Sequence, residues 1–272
     1  MCRVLQVKPS SYYDWLGRHI SCQQVHRNQC ELLVKAAHNE TKERYGVDRL
    51  HAHLRAQGYD ISQYMVRSIK EEHGIKCRSH KRFKVTTDSN HNKLVYPNVL
   101  NQQFDTSRPN QAWVSDITYI WTHEGWLYLA GVKDLYTKEL VGYAINKRMT
   151  ADLVCRALNM DIKNKRPSKG LIVHSDRGSQ YCSHAYHKII KQHHFTGSMS
   201  GKGNCYDNAP IESFWGTLKN ELVYHQDYKT RFVAIRDIIG YIELYYNQTR
   251  IQKGLGYKSP RQVWFDYYRQ AA

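Results

Sequence analysis

WVSDITYI (113–120) is an eight-residue run of aromatic and β-branched residues interrupted by one acid, Asp116, and it reads as a β-strand. The strand period continues downstream. Glu124-Gly125 makes a turn, 126–135 is a second strand and 140–145 a third. Thr150 then caps an apolar-periodic helix over about 151–163. Gly170 precedes a short buried-type strand, LIVH (171–174), that ends at Ser175-Asp176. A helix over about 184–193, a small-residue stretch at 196–208 and a helix over about 209–223 follow. Antiparallel strands, a helix, another strand and further helices give α/β order with a mixed sheet. The remainder, 226–272, is aromatic and basic, with helical periods near 232–246 and 260–268. No segment repeats.

Upstream, 31–75 reads as helices. Leu32, Leu33, Ala36 and Ala37 give an apolar stripe ending near Asn39. Asp48 can cap a short helix that turns Leu50 and Leu54 inward, with Gly58 just past its end. Ser62 can cap the next helix, which runs to about Glu72 and stops at Gly74. Two helices joined by GYDI (58–61) have the plan of a helix-turn-helix, whose second helix enters the major groove. On that helix Val66, Ile69 and His73 share one side, while Gln63, Arg67 and Lys70 share the other. Arg and Gln suit guanine and adenine edges. A small helical bundle with a solvated polar face fits the same pattern. KCRSHKRFK (76–84) then has five basic residues and no acid, with Lys81, Arg82 and Lys84 as candidate phosphate contacts. The expected organisation is a helical region 1–75 with the helix-turn-helix at about 45–75, a basic linker 76–108, a core 109–225 and a helical C-terminal region 226–272.

The 272 residues include 40 Lys and Arg against 24 Asp and Glu, a formal charge of +16. Residues 1–110 have 18 basic and 10 acidic side chains and 111–272 have 22 and 14, so each part carries +8. An excess spread over both parts favours a polyanion, nucleic acid before an anionic membrane surface. The longest nearly apolar stretch, 126–132, is far short of the ~20 residues of a membrane span. MCRVLQVKPSSYYDW (1–15) has no secretory pattern. Seven cysteines are scattered with no CxxC pair, which argues against a disulfide framework or zinc knuckle and for a reducing cytosol.

Three carboxylates stand out by position. Asp116 lies within an apolar strand, Asp176 at the C-terminal end of another, where α/β sheets place ligand sites, and Glu212 in the first turn of a helix. An acid inside an apolar strand is costly unless paired or bound to a cation. Converging carboxylates suit Mg²⁺, and two such ions can activate an attacking oxygen and stabilise the leaving oxygen of a phosphodiester. Each acid also has a local reading: Asp116 could pair nearby, Asp176 could bond Arg177, and Glu212 could favour its helix N-terminus. Asp207 and Asn208 can cap that helix and Pro210 fits its first turn. Lys219 lies seven residues beyond Glu212, ~20° short of two turns, so both project from one face.

The spacing of Asp116, Asp176 and Glu212, with 59 and 35 residues between them, resembles the DD(35)E signature of retroviral-integrase-like transposases of bacterial insertion sequences. The surrounding words match as well: WVSDITYI (113–120), HSDRGSQY (174–181), KGNCYDNAPIESFWGTLKNE (202–221), YNQTRIQKGLGYKSP (246–260) and YGVDRLHAHLRAQGY (45–59). The similarity covers nearly the whole chain. It implies a ribonuclease-H-like core preceded by a small helical domain and followed by a helical tail, and the second-frame catalytic product of a two-frame element. It also implies two Mg²⁺ ions (Mn²⁺ as a substitute) on Asp116, Asp176 and Glu212, and a catalytic basic residue at Lys219. Expected partners are double-stranded DNA (element ends and target), the element's first-frame protein and further copies assembled on DNA.

Other readings fit parts of the same sequence. A catalytically silent DNA-binding regulator or domesticated transposase would use the same fold. A ribonuclease-H-like nuclease would act on hybrids. His174-x-x-Arg177 with Tyr206 satisfies a fragment of the tyrosine recombinases, which act through a covalent phosphotyrosine. His51, His53, His73 and Cys77 could be drawn as a zinc site but lack the usual pair spacing.

Overall fold

The computed structural model describes residues 2–17, 20–78, 94–202 and 204–270, in two compact units divided at Cys77 and Arg78. Lys81, Arg82 and Lys84 lie outside the described residues.

The first unit is helical: α1 (Pro9–Leu16), α2 (Cys22–Glu40), α3 (Val47–Ala56) and α4 (Gln63–Glu72). Ser21 caps α2, its Oγ accepting from the Gln24 amide at 3.2 Å. The buried side of α2 is Cys30, Val34 and Ala37, packed with Leu50, Leu54, Ile61, Val66 and Ile69 of the other elements. The expected stripe is thus rotated. Leu32 is 69% exposed, because adjacent Leu32 and Leu33 sit 100° apart on the wheel and tertiary packing chooses the arc centred on Val34. Ser62 caps α4 as expected, accepting from the Met65 amide at 3.1 Å. Asp48 does not cap α3. Gly46 holds that position, and Asp48 sits in the first turn, accepting a 2.7 Å bond from Gln63 Nε2.

The second unit is built on a five-stranded sheet of order β3-β2-β1-β4-β5. Its strands are β1 (Ala112–Ile120), β2 (Leu127–Asp134), β3 (Leu140–Asn146), β4 (Ile172–Ser175) and β5 (Thr196–Met199). The first three are antiparallel, and β4 and β5 run parallel to β1. This is the ribonuclease-H-like arrangement of a mixed sheet. β5 falls where a loop is expected, since TGSM carries almost no strand-forming side chains. Its Gly197 instead receives the Tyr96 ring, which a Cβ would meet at 2.5 Å. Helices cover both faces. α5 (Ala151–Lys165) and α6 (His184–Gln192) bury Trp113, Val132, Leu153, Val154, Leu158 and Tyr186 on one side. On the other, α7 (Ala209–Glu221) and α8 (Arg231–Gly240) bury Val114, Leu127, Leu129, Phe214, Trp215 and Leu218. Thr150 stands at the N-cap of α5 but makes no side-chain cap bond.

The C-terminal region folds into this second unit. After α8 a π-helical turn, Tyr241–Tyr246, leads on to α9 (Pro260–Gln270). Asn247 Nδ2 donates to Leu140 O, and Asn247 Oδ1 accepts from the Leu140 amide, both at 3.0 Å. Arg250 bonds Glu221 through Nε and Nη2, and the Tyr241 hydroxyl donates to the same carboxylate at 2.9 Å. These buried, charge-assisted bonds fix the C-terminal end of α7. Among the described residues no helix is long and apolar enough to cross a membrane.

Candidate active site

β4 pairs with β1 only as far as Ser115, so the remaining half of β1, from Asp116 onward, has β2 on one side and no strand partner on the other. Asp116 lies at the start of this unpaired half of β1, Asp176 follows directly on β4, and Glu212 lies in the first turn of α7. All three are half-buried. Their charges feel one another. Burial, then repulsion from Asp176 and to a smaller extent Glu212, hold the Asp116 carboxyl well above the usual carboxylate range. Burial and then Asp176 push Glu212 up too. Such mutually raised carboxylates mark a site that lacks enough positive charge for its own acids. Lys219 is half-buried; burial lowers its ammonium pKa, against the pull of Asp116. Its Nζ stands 4.9 Å from the centre of the Tyr119 ring.

Trp215 and Lys133, which sequence reasoning passed over, and Asn208, which it read as a cap, hold α7 and with it Glu212 against the sheet. Trp215 Nε1 donates to Asp116 Oδ2 at 3.0 Å. Its ring lies over Gly131, where a Cβ would come within 2.7 Å of it. Lys133 Nζ donates to Pro210 O at 2.8 Å, and Asn208 Nδ2 to Ser115 O at 3.2 Å. Burial, with repulsion from Lys138 and Arg250, brings the Lys133 ammonium down to about 7. Asp207 and Asn208 therefore do not cap α7 through their side chains. Asp207 accepts from Asn98, Gln102, Asn204 and the Gly201 amide, tying two loops together beneath the helix start. Pro210 does sit in the first turn. The one signal in the sequence was the density of Asn, Asp and Pro at 204–210, which reads equally well as capping.

In the first unit Gln63 and Arg67 are exposed, Gln63 being held by Asp48. Lys70 is buried, which corrects its place on the outward face of α4. Four residues advance a helix by 400°, so Lys70 lies only 40° from buried Val66. His174 is fully buried, its ring nitrogens 2.8 and 3.2 Å from the Ser198 and Ser200 hydroxyls, and burial lowers it to about 4. Both ring nitrogens are thus engaged inside the core, while Tyr206 is 72% exposed. His51, His53 and His73 are engaged separately with Ile61 O, Glu40 and Glu31.

Among the described residues no three His, Cys, Asp or Glu side chains stand close enough to share one ion. Mg²⁺ does not need such a cage. It takes one or two carboxylates and completes its shell with water and phosphate oxygens. The donor set is all hard oxygen, and the raised Asp116 and Glu212 are carboxylates that a cation would relieve. The residues present therefore fit the ion.

The integrase core domain family matches residues 106–205 and again 212–267, and the HTH-like domain family matches 26–83. An uncharacterized 31 kDa protein of insertion element IS600 from Shigella sonnei is 46% identical over all of both chains. The transposase InsF of insertion sequence IS3A from Escherichia coli K12 is 42% identical over 96% of this chain and 92% of its own length. Among solved structures, the HTLV-2 integrase catalytic core domain in complex with magnesium aligns over 57% of this chain and 96% of that one, at 17% identity and a TM-score of 0.45.

Proposed function

The chain belongs to the insertion-sequence transposases that carry an integrase core domain, and on that premise we propose that it cuts element ends and joins them to new DNA at Asp116, Asp176 and Glu212. What supports this is the meeting of three carboxylates from β1, the end of β4 and α7 at the unpaired half of β1, where burial and the charge of Asp176 raise both Asp116 and Glu212. Asp116 and Asp176 would hold a shared pair of Mg²⁺ ions and Glu212 the second of them. Bound there, the ions supply Lewis-acid activation of an attacking oxygen and charge stabilisation at the leaving one. In the first step water forms a bond to the end phosphorus and the bond to the 3′ oxygen breaks, leaving a 3′-OH. In the second, that hydroxyl forms the new bond to a target phosphorus and another 3′ oxygen departs. No protein-bound intermediate is needed, so Tyr206 has no part to play.

The chain's own residues bind and orient. Lys219 holds a phosphate beside Asp116. Trp215, Lys133 and Asn208 fix the distance between Glu212 and the strands. Arg67 and Gln63 read base edges through α4, and the 76–84 run, including Lys81, Arg82 and Lys84, tracks phosphates. Copies of the chain assemble on paired ends, with the first-frame protein as the expected partner.

The test is a strand-transfer assay on element-end duplexes with Mg²⁺, run with and without the first-frame protein. Nicks bearing a 3′-OH and joined products, both lost in Asp116→Asn, are expected. Tight end binding without nicking under any condition would instead favour a silent regulator, and faster cutting of RNA–DNA hybrids a nuclease.

A further inference from the structure

Past Asp116, at the far end of β1, three aromatic rings line up on the hairpin. Trp121 and Trp126 stand opposite each other one step beyond the Ile120–Leu127 pair, their rings edge-on with centres 4.9 Å apart. Tyr119 meets Trp126 edge-on at 5.0 Å. A cross-strand aromatic pair strengthens a hairpin whether or not it is covered. These rings are left open, Trp121 by 56% and Trp126 by 44%. The tip that carries them is also fastened. Thr122 Oγ1 donates to Gly125 O at 2.7 Å, the His123 amide to Tyr228 O at 3.0 Å and the Arg231 amide to Glu124 Oε2 at 2.8 Å. Large apolar faces held rigidly in water are a prepared contact surface, not a loose end.

The charge beside the rings tells what chemistry they suit. Lys219 Nζ lies over Tyr119, and the same ammonium feels the Asp116 carboxylate, so one cation links the platform to the acids. Tyr119 is three residues from Asp116, ~10 Å along the strand and on the alternate face, so Lys219 reaches its ring past the unpaired edge of β1. Exposed rings next to a cation, at a strand edge that no other strand pairs, are the combination that holds single-stranded nucleic acid: backbone on the charge, base on the ring. A purely apolar partner would have to cover Lys219 without pairing it.

We propose that Tyr119, Trp121 and Trp126 form a stacking site for an unpaired nucleobase of the strand whose phosphate is held at Lys219. This rests on the transposase reading of the carboxylate site. Opening the last base pairs of a duplex end frees the strand to bring its phosphate to the acids, and a ring that takes up the freed base offsets the lost stacking. Because every base has a π-face, the site tolerates any sequence.

The test uses the full chain in the Asp116→Asn background, so that DNA stays intact, and two fluorescent element-end duplexes. One is blunt; the other has two unpaired 3′ nucleotides, the last being 2-aminopurine. The unpaired end should bind roughly five- to a hundredfold tighter, as expected for one stacked base, with its 2-aminopurine emission altered. Trp121→Ala and Trp121→Thr, the second keeping strand propensity, should both abolish the preference and the emission change while blunt-end affinity stays the same. Trp121→Tyr should restore most of the preference. Equal binding of the two duplexes, or a preference that survives both substitutions, would overturn the platform alone. Binding of neither duplex would overturn the transposase reading and the platform together.

Discussion

Trp215 and Asp116 are joined by one hydrogen bond, indole Nε1 to carboxylate Oδ2 at 3.0 Å, and it ties α7 to β1 at the chemistry itself. The indole can lie there only because residue 131 has no side chain. The bond favours the ionised carboxylate, against the burial and repulsion that raise Asp116. Trp215→Phe keeps most of the packing and removes the donor. Asp116 should then titrate higher still, and more Mg²⁺ should be needed for half-maximal nicking, with kcat at saturation less affected. Gly131→Ala should do worse, since its Cβ would displace the ring and with it the helix. Mg²⁺ titrations of nicking rate check both; an unchanged requirement in Trp215→Phe would show that the bond serves packing only.

Asp116→Asn, Asp176→Asn and Glu212→Gln should each abolish cleavage and joining while the chain stays folded. The stability sign follows from the raised carboxyls. A carboxyl whose folded pKa lies above its unfolded one binds its proton more tightly in the folded state. Stability therefore falls as pH rises from the unfolded value through the folded one. In chelator, Asp116→Asn should remove part of that decline and melt at or above the parent temperature near neutral pH. Added Mg²⁺ should raise the parent's melting temperature and leave the variant's nearly unchanged. Thermal melts from pH 5 to 8 with and without Mg²⁺ decide this, and a variant that unfolds would mean Asp116 supports the fold.

Asp116 was legible as a candidate because an ionisable residue in a strand-forming run such as WVSDITYI conflicts with its surroundings in a way that sequence alone displays. The long strands and α5 through α7 were legible for the matching reason, that their periods agree with their burial. What stayed hidden has a common cause. β5 is made of small residues and exists because Tyr96 covers it. Lys70, Leu32 and Asp207 sit at arcs or turns where local pattern allows two environments, and contacts far along the chain choose between them. Trp215 and Lys133 read as ordinary core and surface residues until α7 is laid across β2.

Lys133 carries a buried ammonium whose pKa is lowered from 10.5 to about 7. With the folded value below the unfolded one, the buried charge penalises the fold fully below pH 7, and stability is regained as pH rises from 7 towards 10.5. Lys133→Met should therefore be more stabilising, or less destabilising, at pH 6 than at pH 9. The same variant loses the bond to Pro210 O and frees the first turn of α7, so joining activity should drop even where the melting temperature rises. Equal stability changes at the two pH values would show that the hydrogen bond, not the charge, dominates at this position.

In the first unit, exposed Arg67 and buried Lys70 should behave differently. Arg67→Ala should weaken binding to element ends by about 1–3 kcal/mol relative to random DNA, the range for a lost bidentate base contact. Lys70 Nζ is buried with no hydrogen-bond partner, and burial lowers its pKa. Lys70→Met should leave DNA affinity and its salt dependence nearly as they were and increase stability. Competition binding with specific and random duplexes checks the first, salt titration and melting the second. Equal losses on both DNAs for Arg67→Ala would reduce α4 to a phosphate contact.

Lys219 stands two turns from Glu212 on the same helix, half-buried, with its ammonium between the Tyr119 ring and the field of Asp116. An ordinary surface lysine paired along a helix contributes a few tenths of a kcal/mol, so its removal would hardly register. A lysine that holds the reacting strand's phosphate behaves otherwise. Lys219→Ala should cut cleavage and joining by more than tenfold while the Mg²⁺-dependent rise in melting temperature persists, because the carboxylates are untouched. Lys219→Arg keeps the charge but replaces a compact ammonium with a broad planar group beside Tyr119, so it should retain part of the activity. Single-turnover cleavage and joining of pre-nicked ends separate the two steps. If Lys219→Ala cuts and joins at the parent rate, the ammonium is helix surface and the phosphate is held elsewhere along the open half of β1.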